Sequence, residues 1–375
     1  MKIGLICPYN MFQFSGGVQE VVFQLHKHLQ KKGHESLIIT SRPRAYKETC
    51  PEGMVLLGRS AKMNTPFSTM VDFGLEVDVD EIDALFEREK FDILHFHEPW
   101  IPVLSRQILT RSDAVNIATF HGTPPNNIMS KSILNIVVPY TKSVLKYLHK
   151  YTAVSETAAA YIKTLTTEPV EIVPNGIDLD TFKPIAHLKK QHKIKKILYL
   201  NRLEGRKGAK YLIDAYARLR QDHDDVKLLI AGKGVKKKAL ERYVDLYEIP
   251  DVEFLGYVDD YQKLKLMNEA DLYCSPAIFG ESFGIVLLEA MAVGTPLVAG
   301  NNPGYASVLK DRGRLSLVTP QNTETFAQRL ELMLYDDAVR RIWLEWAMEY
   351  VKQFSYNKVA NQYEKIYKEA LRVYV

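Results

Sequence analysis

The sequence predicts an α/β protein built from two parallel-sheet domains, on three observations. Short apolar runs alternate with segments of helical period along most of the chain. The alternation halts at a polar stretch near the middle and then begins again. A chain of 375 residues, 46% of them hydrophobic, also exceeds one ordinary domain and can fill two cores.

In the first half, the expected strands are Lys2 to Cys7, Glu35 to Thr40, Phe91 to His97, Val115 to His121 and Tyr151 to Val154. Between the first two, Val18, Val21, Val22, Leu25 and Leu29 recur at three- and four-residue steps. They mark a helix that begins after Gly16 and Gly17 and stops at Gly33. The interruption holds Pro174, Pro184 and the basic run from Lys189 to Lys196. Beyond it, strands are expected at Lys196 to Asn201, Val226 to Ala231, Val252 to Leu255, Asp271 to Ser275 and Pro296 to Ala299, with a helix over Lys210 to Leu219. The tail from Val339 to Val375 is helical in pattern and rich in aromatic residues, Trp343, Trp346, Tyr350, Phe354, Tyr356, Tyr363 and Tyr367 among them. Parallel sheets bind ligands beyond the carboxyl ends of their strands, so two such domains face to face are expected to enclose one deep cleft.

Composition removes several classes. The formal charge is only +4, with 49 Lys and Arg against 45 Asp and Glu, so nucleic acid is not an expected partner. Cys7, Cys50 and Cys274 lie far apart, without metal or redox spacing, which fits a reducing cytoplasm. The apolar run at the N-terminus is too short for a signal peptide, and no stretch approaches the roughly 18 apolar residues of a membrane span. A cytoplasmic protein, soluble or peripheral on the inner face of the cell membrane, is expected.

Four constellations sit at expected strand ends or helix starts, where main-chain N–H groups favour anions. Ser15, Gly16, Gly17 and Val18 let the backbone approach a phosphate or sugar, or form a plain tight turn. Arg202, Arg206, Lys207 and Gly208 put a guanidinium and an ammonium where a diphosphate could be gripped and neutralised as it leaves; a solvated basic turn would use the same residues. In GESFGIVLLEAMAVGTP, Gly280 to Pro296, Glu281 and Glu289 stand eight residues apart. If Glu281 opens the helix, that is just over two turns and both carboxylates can address one ligand. Glu289 among Val286, Leu287, Leu288, Ala290 and Met291 would be costly to bury without a partner. His121 ends one strand, and His97 with Glu98 ends another. Neither Asp78 with Asp80 nor Asp178 with Asp180 looks like a metal grip, so no obligatory metal is expected.

With these residues in view, the chain resembles glycosyltransferase family 4, of the architecture called GT-B, and within it the bacterial phosphatidylinositol mannosyltransferases. The matching motifs are ICPYN from Ile6, SGGVQ from Ser15, HFHEP from His95, ATFH from Ala118, AVS from Ala153, VPNGID from Val173 and the Gly280 to Pro296 run. The resemblance implies two Rossmann-like domains, residues 1–180 with 355–375 and residues 190–354, the C-terminal helix crossing back to the first. It implies retaining transfer of a hexose from a nucleotide sugar, mannose from GDP-mannose, to a membrane lipid such as phosphatidylinositol. Mg2+ would enter only with the nucleotide. Gly16 and Gly17 would lie against the donor. Arg202 and Lys207 would hold its diphosphate, Glu281 its sugar hydroxyls and Glu289 its ribose, assisted by main-chain N–H groups around Phe283, Gly284 and Ile285. Val258, Asp260 and Lys263 would surround the base. His121 would touch the transferred sugar, with Tyr9 and Gln19 on the acceptor side.

The resemblance departs in two places. The segment VDVDEIDALFEREKFD is acidic where the mannosyltransferases carry a basic helix for anionic lipid, and GTPPNNIMS after His121 differs from their acceptor loop. Lys131, Lys142, Lys146, His149 and Lys150, interleaved with Ile133, Leu134, Ile136, Val137, Val138, Leu145 and Leu148, could rest on a lipid surface or pack an ordinary helix that Pro139 interrupts. Alternatives are a UDP-glucose-dependent or other hexosyltransferase acting on diacylglycerol or a soluble sugar, and a sugar-nucleotide epimerase. A nicotinamide dehydrogenase is disfavoured because GKG at Gly232 lacks the third glycine of the dinucleotide fingerprint.

Overall fold

The computed structural model describes residues 1–12, 16–43, 50–64, 70–76, 78–101, 103–122, 131–188 and 193–375. Ser15, Thr123 to Ser130 and residues 189–192 of the basic run lie outside them, as do the side chains of Lys131, Ile133, Leu134, Ile136 and Val137. The chain divides into two compact units, Met1–Gly176 with Tyr356–Val375, and Ile177–Ser355.

Unit 1 is a single sheet of β1 (Lys2–Ile6), β2 (Glu35–Arg42), β3 (Met54–Asn64), β4 (Met70–Glu76), β5 (Ile93–His97), β6 (Val115–Phe120), β7 (Lys150–Ala153) and β8 (Val170–Ile172). Their spatial order is β4-β3-β2-β1-β5-β6-β7-β8, parallel throughout except for the antiparallel edge pair β3–β4. Helices α1 (Gly17–Lys31), α2 (Val79–Glu89), α3 (Leu104–Leu109), α4 (Lys131–Leu145) and α5 (Glu156–Ile162) fall between strands. All five strands expected here form. The edge ribbon β3–β4 and the short β8 were not anticipated, because the Gly58, Arg59 and Lys62 of β3 break its apolar run.

Unit 2 is a parallel sheet of β9 (Lys195–Leu200), β10 (Val226–Ala231), β11 (Val252–Gly256), β12 (Leu272–Ser275), β13 (Leu297–Gly300) and β14 (Leu317–Val318), in the order β11-β10-β9-β12-β13-β14. Renumbered within the unit, this is the 3-2-1-4-5-6 order of doubly wound nucleotide-binding sheets, with its reversal between β9 and β12. Its helices are α6 (Ala209–Leu219), α7 (Lys237–Leu246), α8 (Asp260–Glu269), α9 (Ile285–Ala292), α10 (Pro303–Val308), α11 (Thr323–Tyr335) and α12 (Asp337–Tyr350). Each expected strand appears again; only two-residue β14 is new. The GKG turn packs rather than binds a dinucleotide: a Cβ on Gly232 would lie 1.9 Å from the Asn201 carbonyl oxygen and one on Gly234 2.3 Å from that of Leu203.

The aromatic tail is two helices. A 3-10 turn, Val351–Phe354, ends α12, and α13 (Tyr356–Tyr374) returns to unit 1. Buried Tyr356, Val359, Ala360, Tyr363, Ile366, Tyr367 and Ala370 form a stripe at helical spacing on α13. It joins Ile3 and Leu5 of β1 and Val22, Leu25 and Leu29 of α1 in one core. Within that core the Tyr367 hydroxyl is 2.7 Å from His95 Nδ1, and the Tyr363 hydroxyl 3.0 Å from Thr119 Oγ1. Tyr363→Ala should lower the unfolding free energy of unit 1 by about 3–5 kcal/mol and Tyr363→Phe by about 1, read from urea denaturation of the full chain.

Candidate active site

The switch point of unit 2 places the loops after β9 and β12 side by side. Arg202 and the 3-10 turn Gly205–Lys207 follow β9; Gly280 and Glu281 follow β12. Close backbone approach makes this possible. Gly208 has φ +76, and a Cβ there would sit 2.0 Å from the Pro276 carbonyl oxygen, so only glycine fits. The Ile278 N–H donates to the Arg206 carbonyl at 2.9 Å and locks the loops together.

A buried ion network results. Lys207 Nζ is 2.6 Å from Glu281 Oε1, and Arg206 Nη1 reaches the same oxygen at 3.0 Å. Arg206 also donates from Nη1 to the Gly280 carbonyl at 3.2 Å and from Nε to Glu204 Oε2 at 3.1 Å, while Arg202 Nη1 lies 3.3 Å from Glu204 Oε1. Three cations thus meet two carboxylates. Burial holds the Lys207 ammonium below its ordinary pKa, and the Glu281 carboxylate pulls it back up. A cluster with one surplus positive charge, buried at Lys207 and open to solvent at Arg202, is a place for a polyanion. Sequence reasoning named Arg202, Lys207 and Glu281, placed Arg206 in the same turn without a role of its own, and missed Glu204, whose spacing from both arginines was the available signal.

Glu281 does not open the helix. Gly284, at φ +103, is the N-cap and α9 begins at Ile285, so the two-turn relation between the glutamates does not hold. A Cβ on Gly284 would lie 2.6 Å from the Tyr305 ring, and buried Phe283 packs edge-on against Phe354. Glu289, buried in α9, does have a partner, Lys263 Nζ at 2.9 Å from Oε1. Its Oε2 is buried with no hydrogen-bond partner among the described residues. Lys263 also lies 3.7 Å from the exposed carboxylate of Asp260, the first residue of α8, and 5.0 Å from the centroid of the Phe182 ring. Half-buried Val258 lies between β11 and α8. Burial raises the Tyr273 phenol, and the charges of Glu289 and Glu281 raise it further, so one side chain senses both glutamates.

In unit 1, Gly16 caps α1 and Gly17 is its first residue. Gln19, buried, donates from Nε2 to the Asn10 carbonyl at 3.2 Å, and its Oε1 lies 2.4 Å from where a Cβ on Gly16 would stand. Tyr9 lies next to the switch point between β1 and β5, its carbonyl accepting from Thr40 at 2.8 Å. Burial pushes its phenol up, and the nearby charge of Glu98 adds to this. His121, at the end of β6, is 2.9 Å through Nε2 from His97 Nδ1. Its main-chain N–H donates at 2.7 Å to Glu98 Oε1, whose other oxygen accepts the Trp100 indole N–H. Burial drives His121 and His95 down to about 3 and His97 well below its ordinary value, and it pushes the Glu98 carboxyl up to about 8 against the pull of the His121 and Gly122 N–H groups.

Two family descriptions match the chain, "Glycosyltransferase Family 4" over residues 15–181 and "Glycosyl transferases group 1" over residues 181–349. A phosphatidyl-myo-inositol mannosyltransferase of Mycobacterium leprae is 33% identical over 373 residues, covering 98% of this chain and 96% of its own. The chain belongs to glycosyltransferase family 4. An N-acetyl-alpha-D-glucosaminyl L-malate synthase of Bacillus anthracis is 28% identical over 392 residues, 99% of this chain and 98% of its own. Among solved structures, a sucrose-phosphate synthase from Thermosynechococcus elongatus superposes with TM-score 0.81 at 19% identity over the whole of both chains, giving the GT-B fold. The chain is therefore a retaining glycosyltransferase that uses a nucleotide-sugar donor. Among the described residues, no group of three His, Cys, Asp or Glu side chains is placed to hold a metal, and no helix is long and apolar enough to cross a membrane. Asp78 and Asp178 instead accept the N–H groups of Asp80 and Asp180, each at 3.0 Å.

The buried histidines set a pH dependence. Their folded pKa values lie below the ordinary 6.5, down to about 3 for His95 and His121, so the folded state holds fewer protons, and the stability they confer is present above pH 6.5 and lost as pH falls through the folded values. Glu98, raised to about 8, acts oppositely, and its contribution is lost as pH rises through that value. Three histidines outweigh one carboxyl in acid. Urea midpoints should therefore fall between about pH 6.5 and 5, and the fall should be shallower in His97→Asn, by up to about 1.4 kcal/mol per pH unit for one proton.

Proposed function

We propose that the protein transfers mannose from GDP-mannose, with retention, to an inositol lipid at the inner membrane surface. The reading is carried by the Arg206–Lys207–Glu281 cluster at the unit 2 switch point, where a cation for a diphosphate and a carboxylate for sugar hydroxyls are held by the same contacts. The full-length likeness to mannosyltransferases supports mannose and the lipid. Arg202 and Lys207 take the diphosphate and Glu281 the sugar. The unpartnered Oε2 of Glu289 accepts a ribose hydroxyl, with main-chain N–H groups at Phe283, Gly284 and Ile285 on the phosphates. Val258, Asp260 and Lys263 border the base, and Gly16 and Gly17 contact the donor. Tyr9, Gln19 and His121 serve the acceptor and the transferred sugar.

In this reading, the acceptor hydroxyl attacks the anomeric carbon on the face from which the diphosphate leaves. The carbon–oxygen bond to phosphate breaks as the new glycosidic bond forms, and the hydroxyl proton passes to the departing phosphate oxygen. Arg202 and Lys207 stabilise the charge that grows there. His121, neutral at physiological pH, can orient a sugar hydroxyl but brings no charge.

A second reading, transfer from a UDP sugar to a soluble acceptor, is favoured by the malate synthase relative and by α2, which carries Asp80, Glu81, Asp83, Glu87 and Glu89 where a lipid-binding helix would be basic. Calorimetric titration with GDP-mannose, GDP, UDP-glucose and UDP, followed by turnover on liposomes with and without phosphatidylinositol, separates the two. GDP preference with inositol-lipid-dependent turnover is expected; UDP preference, or turnover indifferent to that lipid, selects the second. Glu281→Ala and Lys207→Ala should each cut kcat by about a hundredfold or more with the fold intact by circular dichroism, and Glu289→Ala should mainly weaken donor binding. Wild-type rates in those variants would remove the site assignment.

A further inference from the structure

This inference rests on the reading that a sugar nucleotide binds at the Lys207–Glu281 cluster. One oxygen, Glu281 Oε1, receives both Lys207 Nζ and Arg206 Nη1. Donor binding makes a conflict there, because the diphosphate requires the same ammonium that holds the carboxylate. Lys207 is a point charge on a flexible stem and can turn from one anion to another. Arg206 cannot follow it. Its guanidinium is tied to Glu204 Oε2, Glu281 Oε1 and the Gly280 carbonyl, its main-chain oxygen accepts the Ile278 N–H, and its side chain is only 9% exposed. Glu281, at 13% exposure, would be a costly unpaired charge without a second cation.

We propose that Arg206 is a positioning residue that keeps Glu281 aimed at the donor sugar when Lys207 moves to the diphosphate. Phosphate and sugar are then gripped by separate charges instead of competing for one ammonium. Arg206 thus acts on the sugar half of the donor, through Glu281, and not on the nucleotide half.

The test compares each nucleoside diphosphate with its own sugar nucleotide. Arg206→Lys keeps the charge but loses the fork; Arg206→Gln loses both. Each would be titrated by calorimetry with GDP and GDP-mannose, and with UDP and UDP-glucose, alongside kcat, KM and the thermal midpoint. In Arg206→Lys the nucleoside diphosphate should bind within about twofold of wild type, while sugar-nucleotide affinity and kcat fall about tenfold or more; Arg206→Gln should lower kcat further. Equal weakening of both ligands would mean that Arg206 grips phosphate directly, and unchanged kcat in both variants would mean that it only ties two loops; either result overturns the proposal. Lys207→Ala keeps the two failures apart. Wild-type diphosphate affinity in that variant refutes the donor site itself, whereas lost affinity there with no effect at Arg206 refutes only the role given to Arg206.

Discussion

Glu281 is held by two cations inside unit 2, and the geometry of the candidate site depends on that contact. A carboxylate at this depth is tolerated while its charge is matched, here by Arg206 and Lys207 on Oε1. The match requires the loop after β9 to lie against the loop after β12, which are neighbours only because the strand order reverses between them. It also requires backbone contacts that side chains would prevent. Gly208 lies against Pro276, and Gly304 against Glu281, whose carbonyl oxygen would be 2.1 Å from an added Cβ. The Gly280 to Pro296 run therefore combines charge with close packing.

Unit 1 solves a different problem. Its polar groups at the ends of β5 and β6 are buried as neutral species, the histidines unprotonated and Glu98 drawn toward its acid form. Helix α13 supports them from below: Tyr367 reaches His95, and Tyr363 reaches Thr119, whose hydroxyl also meets His95 and Thr152, both at 2.6 Å. His95 in turn lies with its ring centroid 4.3 Å from that of His97, which contacts His121. The last residues of the chain thus brace the strand end that carries His121.

The candidate groups of the two units differ in electrostatic character. Unit 2 concentrates cations, Arg202, Arg206 and Lys207, in the loop after β9. Unit 1 offers neutral hydrogen-bonding groups, which can orient hydroxyls without adding charge. Family membership supplies the reaction class, and α2 carries Asp80, Glu81, Asp83, Glu87 and Glu89 along its length.

The sequence by itself determined the two parallel sheets, all ten strands expected from apolar runs, and the return of the C-terminal helix implied by family resemblance. Apolar period and strand-end glycines are local signals, and they survive into the fold. Arg202, Lys207, Glu281 and Glu289 stood out as candidates for the same reason, as conspicuous polar groups at strand ends or within an apolar run. Only the tertiary structure decided who pairs with whom. It gave Glu289 to Lys263, placed Glu281 before the helix rather than at its start, and joined Arg206 and Glu204 to the cluster. It also split the aromatic tail at Val351–Phe354 and added the edge ribbon β3–β4. Those outcomes depend on strand order and on contacts between residues about 75 positions apart, such as Arg206 and Glu281, and no local pattern encodes a distance across a sheet.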